Sequence, residues 1–196
     1  MIDKLALFLV VLGGRSKSSH IELHDVRWVL GHRIEDTFDQ LRKEWFADSK
    51  GLHIDSYTRI DYVDGYRILF EPLADNNQKL SSNSDPNNFN YSQQDKLWFI
   101  NLGGYDPCSF NELHEFGLIV SNSSSSAVQK AKNRWLNGKK FVHKDDLVCI
   151  SKIRRLEKHK NNSRYQTFKT ILLPMEKEES YNVKPTWYGY LRIDNK

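Results

Sequence analysis

Apolar residues run without a break from Leu5 to Leu12 and almost without one from Leu97 to Leu102. Runs this short predict buried strands, since a membrane helix needs about 20 such residues. Gly13-Gly14 then marks a turn, Arg15 to His20 a loop, and Glu22 to Leu30 a second strand that ends at Gly31. Ile34, Phe38, Leu41 and Trp45 follow at spacings of four, three and four, which is one face of a helix. His53 to Val63 and Tyr66 to Leu73 read as strands around the two-residue hairpin turn Asp64-Gly65.

The pattern repeats. Adding 90 to Leu7, Leu12, Gly13, Gly14, Ser19, Glu22, Leu23, His24, Trp45, Lys50, His53 and Asp55 lands each time on the same residue type, ending at Trp135, Lys140, His143 and Asp145. A supersecondary unit has therefore been duplicated. The second helical face reads Ser124, Val128, Ala131 and Trp135, with Ser123 to Ser126 suited to capping its start. Asp146 to Leu156 and Arg164 to Met175 read as the closing strands, and the offset between Pro72 and Pro174 places an insertion of about 12 residues at the hairpin tip, where it costs little closure entropy.

This organisation predicts a first repeat over 1–73, a polar linker over 74–94, a second repeat with an extended basic hairpin over 95–175, and an aromatic tail over 176–196 that adds a strand or packs across the units. The expected fold is α+β. Each strand-strand-helix-strand-strand unit forms a small roll with one helix on a mixed sheet, the two units are related by approximate two-fold symmetry, and their paired tryptophans anchor matching cores. A ferredoxin-like strand arrangement is the alternative.

Composition narrows the setting only slightly. A net charge of +4 neither demands nor forbids an acidic partner. Cys108 and Cys149 align with Ser18 and Arg59 of the other copy, so no paired framework is implied, and reduced thiols in a cytoplasmic protein are expected. The run after Lys4 lacks a cleavage site, and its duplicate sits in mid-chain, so neither copy is read as a targeting signal.

Glu22 and His24 are two apart in an extended segment, as are His53 and Asp55, so each pair projects to one side. Brought together, the four would converge and include a His-x-Asp pair with a distant His, the ligand set of some mononuclear iron sites, with Glu112, His114, His143 and Asp145 as the twin set. Catalysis needs one working site whereas a scaffold contact is made in every unit, so the sequence favours a structural hydrogen-bond network, with no metal and no cofactor expected. Gly13-Gly14 with Arg15, Ser16 and Lys17 matches neither phosphate-loop pattern. No GxSxG elbow occurs. Lys152, Arg154, Arg155, Lys158, Lys160 and Arg164 crowd thirteen residues against Glu157, offering contacts to nucleic-acid phosphates, with Tyr165 and Phe168 near enough in sequence to stack on bases.

The opening strand with Leu-Gly-Gly, the Glu22-Leu23-His24-Asp25 element, Trp45 and Gly51-Leu52-His53-Ile54-Asp55 resemble the bacterial domain-of-unknown-function family numbered 1543, whose members carry this domain in one or two copies. In the second copy Glu115 replaces Asp25, and Phe141-Val142 replaces Gly51-Leu52. The resemblance implies tandem copies and a bacterial source, and it transfers no activity. The resulting expectation is a non-enzymatic cytoplasmic binding or interaction protein with an unknown protein or small ligand as partner and no membrane attachment. The alternatives are nucleic-acid binding through the basic hairpin and a metal-dependent enzyme using the Glu-x-His and His-x-Asp pairs.

Overall fold

A computed structural model describes residues 4–73, 95–159, 162–175 and 184–194. The first repeat opens with β1 (Ala6–Gly14), β2 (Leu23–Gly31), a 3-10 turn (Ile34–Thr37), α1 (Phe38–Glu44) and β3 (His53–Ile60). β1 is buried on both faces, which is why its sequence does not alternate. It lies between β2 and β3, antiparallel to each, and β11 (Trp187–Arg192) adds the edge beyond β3. The second repeat supplies β6 (Lys96–Tyr105), β7 (Leu113–Ser121), α2 (Ser124–Arg134) and β8 (Lys140–Cys149), in the antiparallel order β7-β6-β8. The two repeat sheets are thus antiparallel rather than mixed. Nor do they follow the ferredoxin-like alternative, which puts two helices on one four-stranded sheet.

The helical face from Ile34 to Trp45 is real but not one continuous helix. Asp36 Oδ2 accepts from the His32 and Arg33 backbone amides, 3.0 Å each, and tightens the start into the 3-10 turn. Trp45 caps the end with extended backbone, and its indole donates to the Asp48 carbonyl at 3.0 Å. Ile34, Leu41 and Trp45 bury against Ala6, Phe8, Val10 and Leu12, the alternate residues of β1. In α2 the Ser123 hydroxyl accepts from the Ser126 amide, as the capping pattern predicts. The buried stripe is Ala127 and Ala131, because Ser124 falls in the exposed first turn.

The tryptophans align in sequence but not in surroundings. Trp45 lies on Gly14, where an added Cβ would come within 2.8 Å of its ring. The twin glycine, Gly104, is covered instead by Leu136, and Trp135 lies on Gly117, whose counterpart in the first copy is Arg27. Leu136 takes the core position at 7% exposure with a left-handed φ of 54°. The expected match of paired tryptophans therefore fails by one residue at this end of the helix.

Both expected long strands break where the chain changes sheet. β3 ends at Ile60, and Asp64 and Gly65, both with positive φ, turn β4 (Tyr62–Val63) into β5 (Tyr66–Pro72) as the Asp-Gly pair predicts. β8 ends at Cys149 before β9 (Lys152–His159), which pairs with β10 (Asn162–Pro174). These two hairpins form one sheet in the order β4-β5-β10-β9. The compact units consequently do not follow the repeat boundaries: one comprises Met1–Glu71 with Lys152–Lys196, the other Pro72–Ser151. The linker expectation over 74–94 lies outside the described residues. Among the described residues no helix is long and apolar enough to cross a membrane.

The aromatic tail becomes β11. Trp187 stacks on Tyr57 with ring centroids 5.7 Å apart, Ile193 enters the core at 3% exposure, and its amide donates to the Leu52 carbonyl at 3.0 Å. Asp194 clips the end by accepting from the Gly51 amide at 2.8 Å and from Arg192 at 2.6 Å. Those donors hold the Asp194 carboxyl down at about 2, Arg192 contributing most.

Candidate metal centre

β1 contributes the floor of the first cluster. Gly13 sits opposite His24 on β2 and opposite His53 on β3, so the two imidazoles flank it in one row across three strands. A Cβ on Gly13 would come within 2.4 Å of His53 Nε2 and 2.9 Å of Asp55 Oδ2. The missing side chain is what lets the outer strands reach each other over the central one. Glu22 precedes β2, and Asp55 is the extra residue of a bulge in β3, between the Val11–Ser56 and Leu12–Ile54 pairs. A bulge re-aims a side chain, here toward the row. Gly103, His114 and His143 repeat the row, Asp145 repeats the bulge, and a Cβ on Gly103 would meet Glu112, Asp145 and His143.

All four candidates of each copy come together, although the paired segments are not adjacent: a strand runs between them. In the first cluster His53 Nε2 lies 3.1 Å from Asp55 and 3.5 Å from Glu22, while His24 Nε2 lies 3.3 Å from Asp55 and 3.7 Å from Glu22. In the second, His143 Nε2 lies 3.0 Å from Asp145 and 3.1 Å from Glu112. His114 presents Nδ1 to Asp145 at 3.0 Å and holds Nε2 3.8 Å from Glu112.

Tautomer chemistry sharpens this. His53 Nδ1 is 2.8 Å from the Gly51 carbonyl, and His143 Nδ1 is 2.9 Å from that of Phe141. A carbonyl only accepts, so each Nδ1 carries a proton and donates it. If the ring is neutral, the Nε2 lone pair then faces two carboxylates, a repulsive arrangement relieved by a proton on the ring or on a facing carboxyl group, or by a cation among the groups. His53 Nε2, in a side chain 1% exposed, has no well-formed hydrogen bond, and neither has the buried Glu112 Oε1. His143 has its pKa raised, first by the Phe141 carbonyl and further by Asp145 and Glu112, against an opposing effect of burial.

The two clusters differ in the exposure of one imidazole, while their other three groups are partly exposed in both copies. Tyr190 of β11 lies over His53 with ring centroids 4.0 Å apart, and His53 is 1% exposed. His143 is 45% exposed, with the Tyr105 ring 6.0 Å away and nearly parallel. Tyr105 also hydrogen-bonds Glu112, which raises the phenol pKa. Glu112, His143 and Asp145 can each offer one ligand atom with all three atoms within 4.8 Å of one another. Sequence reasoning read Gly13-Gly14 as a turn, whereas both glycines belong to β1 and serve close approach. The sequence signal was there: the Gly-Gly pair recurs with the Glu-x-His and His-x-Asp pairs. Tyr190, in the tail, had no such signal.

The basic hairpin has a different fate. Lys152, Arg154 and Arg155 lie on β9, as does the backbone of Lys158; Arg164 lies on β10, and Lys160 lies outside the described residues. Of the two rings expected to stack on bases, Phe168 is buried at 6% exposure and turned away from solvent. Tyr165 lies against Arg154 and Lys43 and donates to Glu44 at 3.3 Å. Cys108 and Cys149 are free thiols.

Comparison with known proteins agrees with the duplicated layout. The chain is similar over 97% of its length, and 98% of the other, to the crystal structure of protein Il1583 from Idiomarina loihiensis, at 28% identity and a TM-score of 0.63. No curated protein matches it. The family model described as Domain of Unknown Function (DUF1543) matches twice, over 19–70 and 109–157, so both the Glu-x-His and the His-x-Asp pairs of each copy fall inside it. The chain belongs to the DUF1543 family, in two tandem copies.

Proposed function

We propose that this protein is a binding protein whose repeats are divalent-metal modules, the second copy holding the accessible site. The observation that carries this is the Nδ1–carbonyl bond in both copies, which turns an imidazole lone pair toward two carboxylates. Metal-bound histidines use the same device: a carbonyl fixes the tautomer and the other nitrogen ligates. Spacing supports it. Ligand atoms about 2.0 to 2.2 Å from a tetrahedral ion stand about 3.4 Å apart. The imidazole–carboxylate separations run from 3.0 Å to 3.8 Å. Mixed nitrogen and oxygen donors suit zinc, iron or manganese better than calcium.

In the second copy Glu112, His143 and Asp145 would be the ligands. His114, hydrogen-bonded to Asp145, would orient that carboxylate from behind. The hydrogen-bond network expected from sequence supports the same residues but leaves the Nε2 lone pairs opposed to carboxylates unless each ring or a carboxyl group facing it carries a further proton.

Titration of the chelator-stripped protein with zinc, followed by calorimetry, tests the reading. Uptake that falls at least tenfold in affinity in His143→Ala is expected. Uptake no greater than that of a His53→Ala/His143→Ala double variant would refute it.

A further inference from the structure

We propose that the second site takes a small aromatic oxyanion, such as an aromatic carboxylate, whose oxygen completes the coordination of the metal and whose ring lies over His143. This rests on the metal reading above. It begins with a backbone position that the two copies fill differently. Gly51 has φ of 82°, a conformation that glycine adopts freely. Its twin Phe141 keeps the left-handed conformation, φ 51°, with a bulky side chain. Such strain is ordinarily offset by burial, yet Phe141 is 84% exposed. Phe110, the twin of His20, is fully exposed at 110%. Phe110 precedes Glu112 by two residues, and Phe141 precedes His143 by two. Two apolar rings are thus held in water on the two segments that deliver ligands.

The first copy shows what belongs above the imidazole. There the ring of Tyr190, a phenol supplied by β11, lies 4.0 Å from His53, which is 1% exposed. In the second copy β8 is the sheet edge, and among the described residues no strand pairs beyond it. Three protein ligands leave a fourth position of a tetrahedral ion open, the arrangement of sites that accept exogenous ligands. An aromatic ring carrying an oxyanion meets both demands: its oxygen neutralises and completes the ion, and its face lies beside Tyr105, the one ring already next to His143, with the exposed Phe110 and Phe141 two residues from the ligands in sequence.

The test titrates zinc-loaded protein with benzoate and with acetate, which share a carboxylate and differ in the ring. Benzoate binding at least tenfold tighter than acetate is expected, and that preference should vanish in Phe141→Gly and shrink in Phe110→Ser. Zinc uptake is read separately in each protein. Equal binding of the two anions, or a preference unchanged in both variants, overturns the aromatic ligand while leaving the metal reading intact. Absence of zinc uptake by the unmodified protein overturns both.

Discussion

Gln40 Oε1 accepts from the backbone amide of Leu156 at 2.9 Å, so a side chain from the first repeat's helix pairs with an edge strand from the second repeat's hairpin. Its Nε2 donates to the Arg154 carbonyl at 3.0 Å, and the side chain is 4% exposed. The amide thus imitates a neighbouring strand and satisfies the outer edge of β9. Gln40→Ala should cost about 2 kcal/mol, because it strands a donor and an acceptor that had partners. Urea denaturation would measure it, and a loss below about 0.5 kcal/mol would argue against the pairing.

Gly13 and Gly103 separate the two sites experimentally. Gly13→Ala drives a methyl group into His53, which is 1% exposed and packed against Tyr190, so it should lower stability by about 2 kcal/mol as overpacking does. Gly103→Ala meets groups that border solvent and can yield. It should cost about 1 kcal/mol or less and still reduce zinc uptake, which paired melting and binding measurements would reveal.

Asp194 gives the tail a pH dependence. Its folded pKa, about 2, is below the unfolded value of 3.8. The contribution is therefore complete above pH 4 and is lost as pH falls toward 2. Trp187 fluorescence should report loosening of β11 across that window. In Asp194→Asn the dependence should be absent; an unchanged acid transition there would assign it to other carboxylates.

Unequal tryptophan surroundings predict unequal costs. Trp45 is 8% exposed in the first core, so Trp45→Ala should lose about 3 to 5 kcal/mol. Trp135 is half-buried, with Leu136 in the core beside it, and Trp135→Ala should lose about 1 to 2 kcal/mol. Equal losses on thermal or denaturant unfolding would contradict the one-residue slip.

Much of this architecture was legible because duplication prints the same signal twice. The Glu-x-His and His-x-Asp pairs, the Asp64-Gly65 turn and the serine cap of α2 all follow from residue type and spacing. What spacing could not convey was tertiary. That β1 runs between His24 and His53, and that a bulge at Asp55 turns its carboxylate inward, depends on strand order and register. The slip from Trp135 to Leu136 depends on backbone conformation after the helix. Phe168 looked available to bases because β10 carries charges around it, yet alternation turns it inward opposite Ile153.

The unit that begins the chain also needs Lys152–Lys196, whereas Pro72–Ser151 is contiguous. During synthesis the middle of the polypeptide can therefore complete its contacts before the beginning does, reversing the usual order in which the N-terminal body folds first. Until β9, β10 and β11 emerge, β3 and α1 wait with unsatisfied edges and faces, so a nascent chain that has cleared the ribosome only as far as Ser151 would carry a finished second unit beside an unfinished first.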